Sequence, residues 1–106
     1  MRQGFRSKHW DDENGAPAGG CSSGTGFCIS WQEGPLGRGD SRRKPNGAFV
    51  EDVIAAAIDR LEYYQHSRFV CPENATAIAS LGCALDALNR RTADREAREV
   101  EGTHQV

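Results

Sequence analysis

The chain has no apolar run approaching the roughly 20 residues that a bilayer-spanning helix needs. Its opening, MRQGFRSKHW, also lacks the apolar stretch of a secretion signal, so a cytoplasmic protein is expected. It has no excess of basic charge: 13 Lys and Arg stand against 15 Asp and Glu, a formal net charge of −2. A bulk nucleic-acid binder would be strongly basic. None of the four cysteines (Cys21, Cys28, Cys71, Cys83) forms a CxxC pair, and His9, His66 and His104 lie far from any paired thiol. That spacing speaks against zinc and against a disulfide framework, and four free thiols acting as small hydrophobes are expected.

Catalytic signatures are missing too. There is no glycine-spaced loop ending in GK[ST], no nucleophile elbow and no paired-histidine motif. Asp11, Asp12 and Glu13 follow His9 closely, but an acidic run leading into Asn-Gly reads as a solvated turn rather than an acid–base or metal cluster. No catalytic residue, metal or cofactor is expected. At 106 residues the chain is one domain's worth of sequence, and a chain so short often completes its burial by oligomerising.

What is present falls into an N-terminal lobe, residues 1–47, and a helical part, residues 48–106. In the lobe, Phe27, Ile29 and Trp31 alternate with Cys28, Ser30 and Gln32, the period of a half-buried strand. Phe5 to Trp10 reads as its partner strand, and the glycine-rich stretch NGAPAGGCSSGTG, Asn14 to Gly26, as a long turn between the two. The segment PLGRGDSRRKPNG follows, with Arg38, Arg42, Arg43 and Lys44 making it locally basic. It reads as a solvated loop or as a phosphate-facing one.

The helical part carries 3.6-residue periodicity. A first helix is expected over about 48–65, with Val50, Ile54, Ala57, Leu61 and Tyr64 on one face, Val53 and Ile58 flanking it, and Glu51 and Asp52 in a first turn that favours acids. Pro72 suits the first position of a second helix, over about 72–98, in which Ile78, Leu81, Leu85, Leu88 and Thr92 share a face. A short connection makes the two helices antiparallel. The fold class is therefore α+β: a small antiparallel sheet packed on an antiparallel helical hairpin, closing with an irregular tail, in an oligomer joined through the apolar seams of the helices. Beyond the seam the composition turns to Arg90, Arg91, Arg95 and Arg98, guanidinium groups suited to gripping an anion.

The run ENATAIASLGCALDALNRRTADREAREVEGTH resembles the helical-hairpin domain shared by phage anti-defence sponges, proteins that soak up nucleotide second messengers. The upstream GFCISWQEGPLGRGD and PNGAFVEDVI are similar to the Thoeris anti-defence branch, which adds an N-terminal sheet to the hairpin; the sister anti-CBASS branch has little β-structure. PNGAFVEDVI, ALNRRTADR and VEGTH are the most specific parts, and Glu99 departs from the pattern by standing where a glycine is expected. The resemblance implies a non-enzymatic binder of the cyclised ADP-ribose made by TIR-domain enzymes. In some members it also implies binding of cyclic di- or trinucleotides at separate sites of higher oligomers. From the family, Asn74, Arg91 and an aromatic near the end of the first helix carry over to the site.

Such a ligand needs guanidinium donors for its pyrophosphate, an amide, and an aromatic plate for its adenine. Arg90, Arg91 and Arg95 supply the first group, with Thr92 beside them as a further ligand-binding candidate, Asn74 the amide, and Tyr64 or Phe69 the plate. Trp31 is expected to anchor the N-terminal lobe over one side of the pocket, with Arg38 pointing to the phosphates. Each residue has a plainer reading: Tyr64 and Trp31 as core, Asn74 as a helix-start residue, the arginines as a solvated face paired with Asp94, Glu96 and Glu99. A small oligomeric helical regulator or nucleic-acid-binding protein is the alternative function. Dimer and hexamer are both compatible with the sequence.

Overall fold

The computed structural model describes residues 4–104. Three strands, β1 (Arg6–Asp11), β2 (Pro17–Gly24) and β3 (Phe27–Trp31), precede a short 3-10 turn at Gly39–Ser41 and two helices, α1 (Val50–Gln65) and α2 (Pro72–Ala97). The chain divides into two compact units. One holds the sheet, its loop and the residues after α2; the other holds the two helices.

The sheet is antiparallel in the order β1-β2-β3. Its central strand is the glycine-rich stretch that the sequence reads as a turn. The misreading has a physical cause. β2 is built of small residues, poor strand formers on their own, because its neighbours supply the bulk. A Cβ on Gly20 would collide with the carbonyl oxygen of Lys8, and Gly20 stands level with Trp31 on the other side. The register puts Ser7, Ser22 and Ile29 in one row, and there the strands are tied by side chains. Ser22, buried, exchanges a hydrogen bond with Ser7 (2.8 Å between Oγ atoms) and accepts one from the Trp31 indole N–H at 3.1 Å.

The outer edge of β3 is covered by the residues leading to α1. Gln32 N–H donates to the Ala48 carbonyl (3.0 Å) and Ala48 N–H to that of Ser30 (2.7 Å). Asn46 adds three more bonds: its N–H to Gln32 Oε1, its Oδ1 from Glu33 N–H, and its Nδ2 to the Glu33 carbonyl. The Pro-Asn-Gly stretch before α1 therefore works as an edge strap.

Asp12 closes the β1–β2 turn, accepting from Asn14 N–H (2.8 Å) and Ala16 N–H (3.0 Å) on Oδ1, while Oδ2 lies 3.6 Å from His104. The N–H groups of Ala16 and Asn14, with a smaller contribution from His104, hold its carboxyl below the usual carboxylate range. A carboxyl lowered in the folded state stabilises above its unfolded pKa and loses that effect as pH falls through the folded value. Melting temperature should therefore drop below about pH 4, and Asp12→Asn, which keeps the turn's acceptor, should flatten that part of the profile. Thermal melts across pH check it; an unchanged profile in the variant would remove Asp12 from the acid response.

In the helical unit, α1 and α2 pack side by side across a short turn. On α2 the partly covered residues Asn74, Ile78, Leu81, Leu85, Leu88, Thr92 and Arg95 follow steps of four and three, the expected seam. On α1 the expected Ile54, Leu61 and Tyr64 and the flanking Val53 and Ile58 are partly covered, whereas Val50 and Ala57 are exposed and Gln65 joins the covered positions. Polar Gln65 earns its place at the turn, as described below. Both helices lack a buried residue, and no apolar side chain among the described residues is buried in the single chain.

After α2 the backbone turns through Glu99, whose φ of +60° makes it the sole described non-glycine residue in the left-handed region. That is the position where a helix end usually carries glycine, and where the sequence departs from the expected pattern. Left-handed backbone costs an L-residue about 1–2 kcal/mol, partly offset by glycine's greater freedom in the unfolded chain. Glu99→Gly is expected to stabilise the fold by up to about 1 kcal/mol in urea unfolding; a destabilised variant would show that the Glu99 side chain outweighs the backbone term. No helix among the described residues is long and apolar enough to cross a membrane.

Candidate functional site

The candidate residues fall into separate groups, and the helix geometry sets how far apart two of them are. Tyr64, Phe69 and Asn74 gather at the tip of the hairpin. Gln65 organises this turn: its Oε1 accepts from Cys71 N–H (3.0 Å) and from the Asn74 amide (3.0 Å), while its own amide donates to the Cys71 carbonyl at 3.1 Å. Asn74 also donates to the Phe69 carbonyl, 3.1 Å away. Both amide hydrogens of Asn74 are thus committed to the turn, and its Oδ1 remains as an acceptor. Ser67 reinforces the bend, donating to the Tyr64 carbonyl (2.6 Å) and accepting from Phe69 N–H (3.1 Å).

This turn presents aromatic rings. Phe69 is 61% exposed and Tyr63 62% exposed, whereas Tyr64 is half-buried. The Arg60 guanidinium stands 4.9 Å from the centres of both tyrosine rings, and Arg68 5.1 Å from that of Phe69. Cations over ring faces hold the plates in place and add positive charge to the tip. Arg60, Arg68 and Gln65 are absent from the sequence-derived site. Their signal was present for Arg60, which precedes the two tyrosines by three and four residues, the spacing of neighbours on a helix.

The arginines lie at the other end. α2 has 26 residues against 16 in α1, so its last ten, about 15 Å of helix, outrun its partner. Arg90, Arg91, Thr92 and Arg95 sit in or beside that overhang. Arg90 and Arg91 are exposed and make no hydrogen bond or ion pair with the described residues. Arg98 is paired with Asp94 at 3.1 Å, and Thr92 donates to the Leu88 carbonyl at 3.3 Å. From Asn74 to Arg91 the helix rises about 25 Å. A shallow depression at the start of α2 is lined by Pro72, Glu73, Thr76 and Ala77, with no aromatic or basic side chain.

Trp31 and Arg38 belong to the N-terminal unit. Trp31 spends its indole N–H on Ser22, and Ser30 and Gln32 on either side of it bond Ala48, an anchoring role within the sheet. Arg38 is exposed and donates one bond, from Nη1 to the Glu101 carbonyl at 3.0 Å. All four cysteines are free, and no group of three or more His, Cys, Asp or Glu that could hold a metal ion occurs among the described residues.

Comparison with known proteins agrees with this architecture. Over 77 residues the chain is 49% identical to a protein of Bacillus phage SBSphiJ7 named Thoeris anti-defense 1. The aligned stretch covers 73% of this chain and 51% of that protein, so the chain spans about half the length of its relative. The family model of the Acb2/Tad1 hairpin domain matches residues 29–93, which takes in the end of β3, the basic loop, α1 and α2 as far as Arg90, Arg91 and Thr92 in the overhang. With more than half of its length matched in this way, the chain belongs to the Acb2/Tad1 hairpin-domain family.

Proposed function

We propose that this protein is a non-catalytic sponge. It binds the cyclised ADP-ribose made by TIR-domain enzymes and withholds it from the effector, blocking anti-phage defence in an infected bacterium. The observation that carries the reading is the 25 Å rise between Asn74 and Arg91 on one helix. A ring bearing one pyrophosphate, two riboses and one adenine is too small to touch both ends of that helix in one chain. It touches both when the tip of one copy meets the arginine overhang of another. The site is then shared between copies in a homo-oligomer, dimer or hexamer. The absence of any buried apolar side chain among the described residues supports that assembly, since a lone copy leaves its seams half covered.

The chemistry fits. Arg90 and Arg91 have guanidinium groups open to a pyrophosphate, which arginine holds bidentately. Tyr64 or Phe69 stacks the adenine, worth about 1–3 kcal/mol per base in nucleic-acid systems, and Asn74 Oδ1 accepts from a ribose hydroxyl or the adenine amine. Cyclic di- or trinucleotides are further ligands, taken at separate sites that higher oligomers create. The name of the phage relative, an anti-defence protein, agrees with the biological role.

Denaturing the protein after incubation with cyclised ADP-ribose and analysing the supernatant tests the reading. Intact ligand should be recovered in proportion to protein. Recovery of a hydrolysed or rearranged product would make the protein an enzyme, and no uptake at all would remove the sponge.

A further inference from the structure

Of the cations in the basic loop, two are bound to one glutamate, in different ways. Arg42 holds the Glu101 carboxylate through both oxygens, Nη1 lying 2.6 and 2.7 Å from them, and reaches the Gly37 carbonyl at 3.4 Å. Arg38 takes only the Glu101 backbone carbonyl, through Nη1. A guanidinium carries five N–H donors, so Arg38 keeps four with no partner among the described residues. The Glu101 side chain is 16% exposed, well shielded for a surface carboxylate.

The contact is built into the backbone as well. Gly37 N–H donates to the Gly102 carbonyl at 2.7 Å, and Gly102 has φ +80°. A Cβ there would collide with the Gly37 carbonyl oxygen, so only glycine lets the two backbones approach. Farther along, His104 reaches Asp12. The segment after α2, which the sequence attaches to the helical part, thus makes its contacts with the loop and the β1–β2 turn.

We infer that Arg42 and Glu101 are positioning residues: their ion pair clasps the C-terminal segment to the basic loop so that the Glu101 carbonyl holds Arg38 with four donors free for a phosphate of the ligand. The inference rests on the proposed function for the identity of that ligand. Arg42 does not itself take the phosphate, because the Glu101 carboxylate bound at its Nη1 already neutralises its charge, although its Nε and Nη2 keep no partner among the described residues.

Two readouts on the full chain separate the clasp from the ligand. Exchange of the Arg38 Nη1 proton held by the Glu101 carbonyl, followed by NMR without ligand, should be slower in the parent than in Glu101→Ala. Calorimetry with cyclised ADP-ribose should show roughly tenfold weaker binding for Glu101→Ala and for Arg42→Glu. The charge-swapped double variant, Arg42→Glu with Glu101→Arg, should recover both signals, which guards against simple loss of folding. Unchanged or tighter binding in Glu101→Ala, or unchanged Arg38 exchange, overturns the clasp; tighter binding would make Glu101 a competitor of the phosphate. A parent that takes up no cyclised ADP-ribose overturns the proposed function, and the clasp is then decided by guanidinium exchange alone.

Discussion

Leu85→Glu is expected to break the assembly and, with it, most of the stability of the fold. Leu85 lies in the middle of the α2 seam, between Leu81 and Leu88, and is half covered in the single chain. If copies complete their burial there, the substitution places a carboxylate in an apolar contact with no partner. An unpaired buried charge costs several kcal/mol, and the lost leucine packing adds about 2 kcal/mol more. For a chain with no buried apolar side chain of its own among the described residues, that sum exceeds a small domain's margin. Sedimentation velocity should show monomer, and the melting transition should fall by tens of degrees or vanish. A variant that sediments and melts like the parent would place the interface elsewhere.

The second large effect belongs to Arg91. Its side chain is exposed, has no partner among the described residues, and stands on the α2 overhang, so its removal breaks no hydrogen bond or ion pair among them. Arg91→Ala should therefore keep the fold and the oligomer and lose at least tenfold in affinity for cyclised ADP-ribose, the worth of one charge-assisted hydrogen bond or more. Arg91→Lys should rescue little, because an ammonium cannot make the bidentate contact. Asn74→Ala should behave differently. The amide clips Gln65 to Phe69, so the variant should lose about 1–2 kcal/mol of stability as well as affinity. Calorimetry beside urea unfolding separates the two. Parent-like binding in Arg91→Ala would leave the arginine cluster a solvated helix end.

Much of this architecture is legible in the sequence where packing obeys a period. The steps from Ile78 to Thr92 locate α2 and its covered face, and Pro72 marks its start; the helix runs Pro72–Ala97 against an expected 72–98. β3 is likewise readable from Phe27, Ile29 and Trp31. β2 is not, because its residues are small for the sake of neighbours on other strands, and a local reading sees only glycine and serine. One covered position of α1 escapes a local reading for a related reason. Gln65 is polar by type yet sits inside, since its amide bonds to the turn rather than to water. The sequence marks Asn74 as a candidate site residue or a helix-start residue, but its structural duty depends on a glutamine nine positions earlier, a pairing that only the folded turn creates. The candidate residues carry their chemistry openly; the 25 Å between two groups of them does not show in a list of residue types.

That separation makes one mixing experiment the most direct test. A tip variant (Tyr64→Ala with Phe69→Ala) and an overhang variant (Arg91→Ala) should each fail to take up cyclised ADP-ribose at a concentration that saturates the parent. Unfolded together and refolded as mixed oligomers, they should regain about a quarter of the parent's capacity, because random pairing gives half mixed dimers and each has one intact site of two. Recovery of that size would show that the tip of one copy and the arginines of another hold the same ligand. No recovery, with mixed oligomers demonstrably formed, would contradict the shared site.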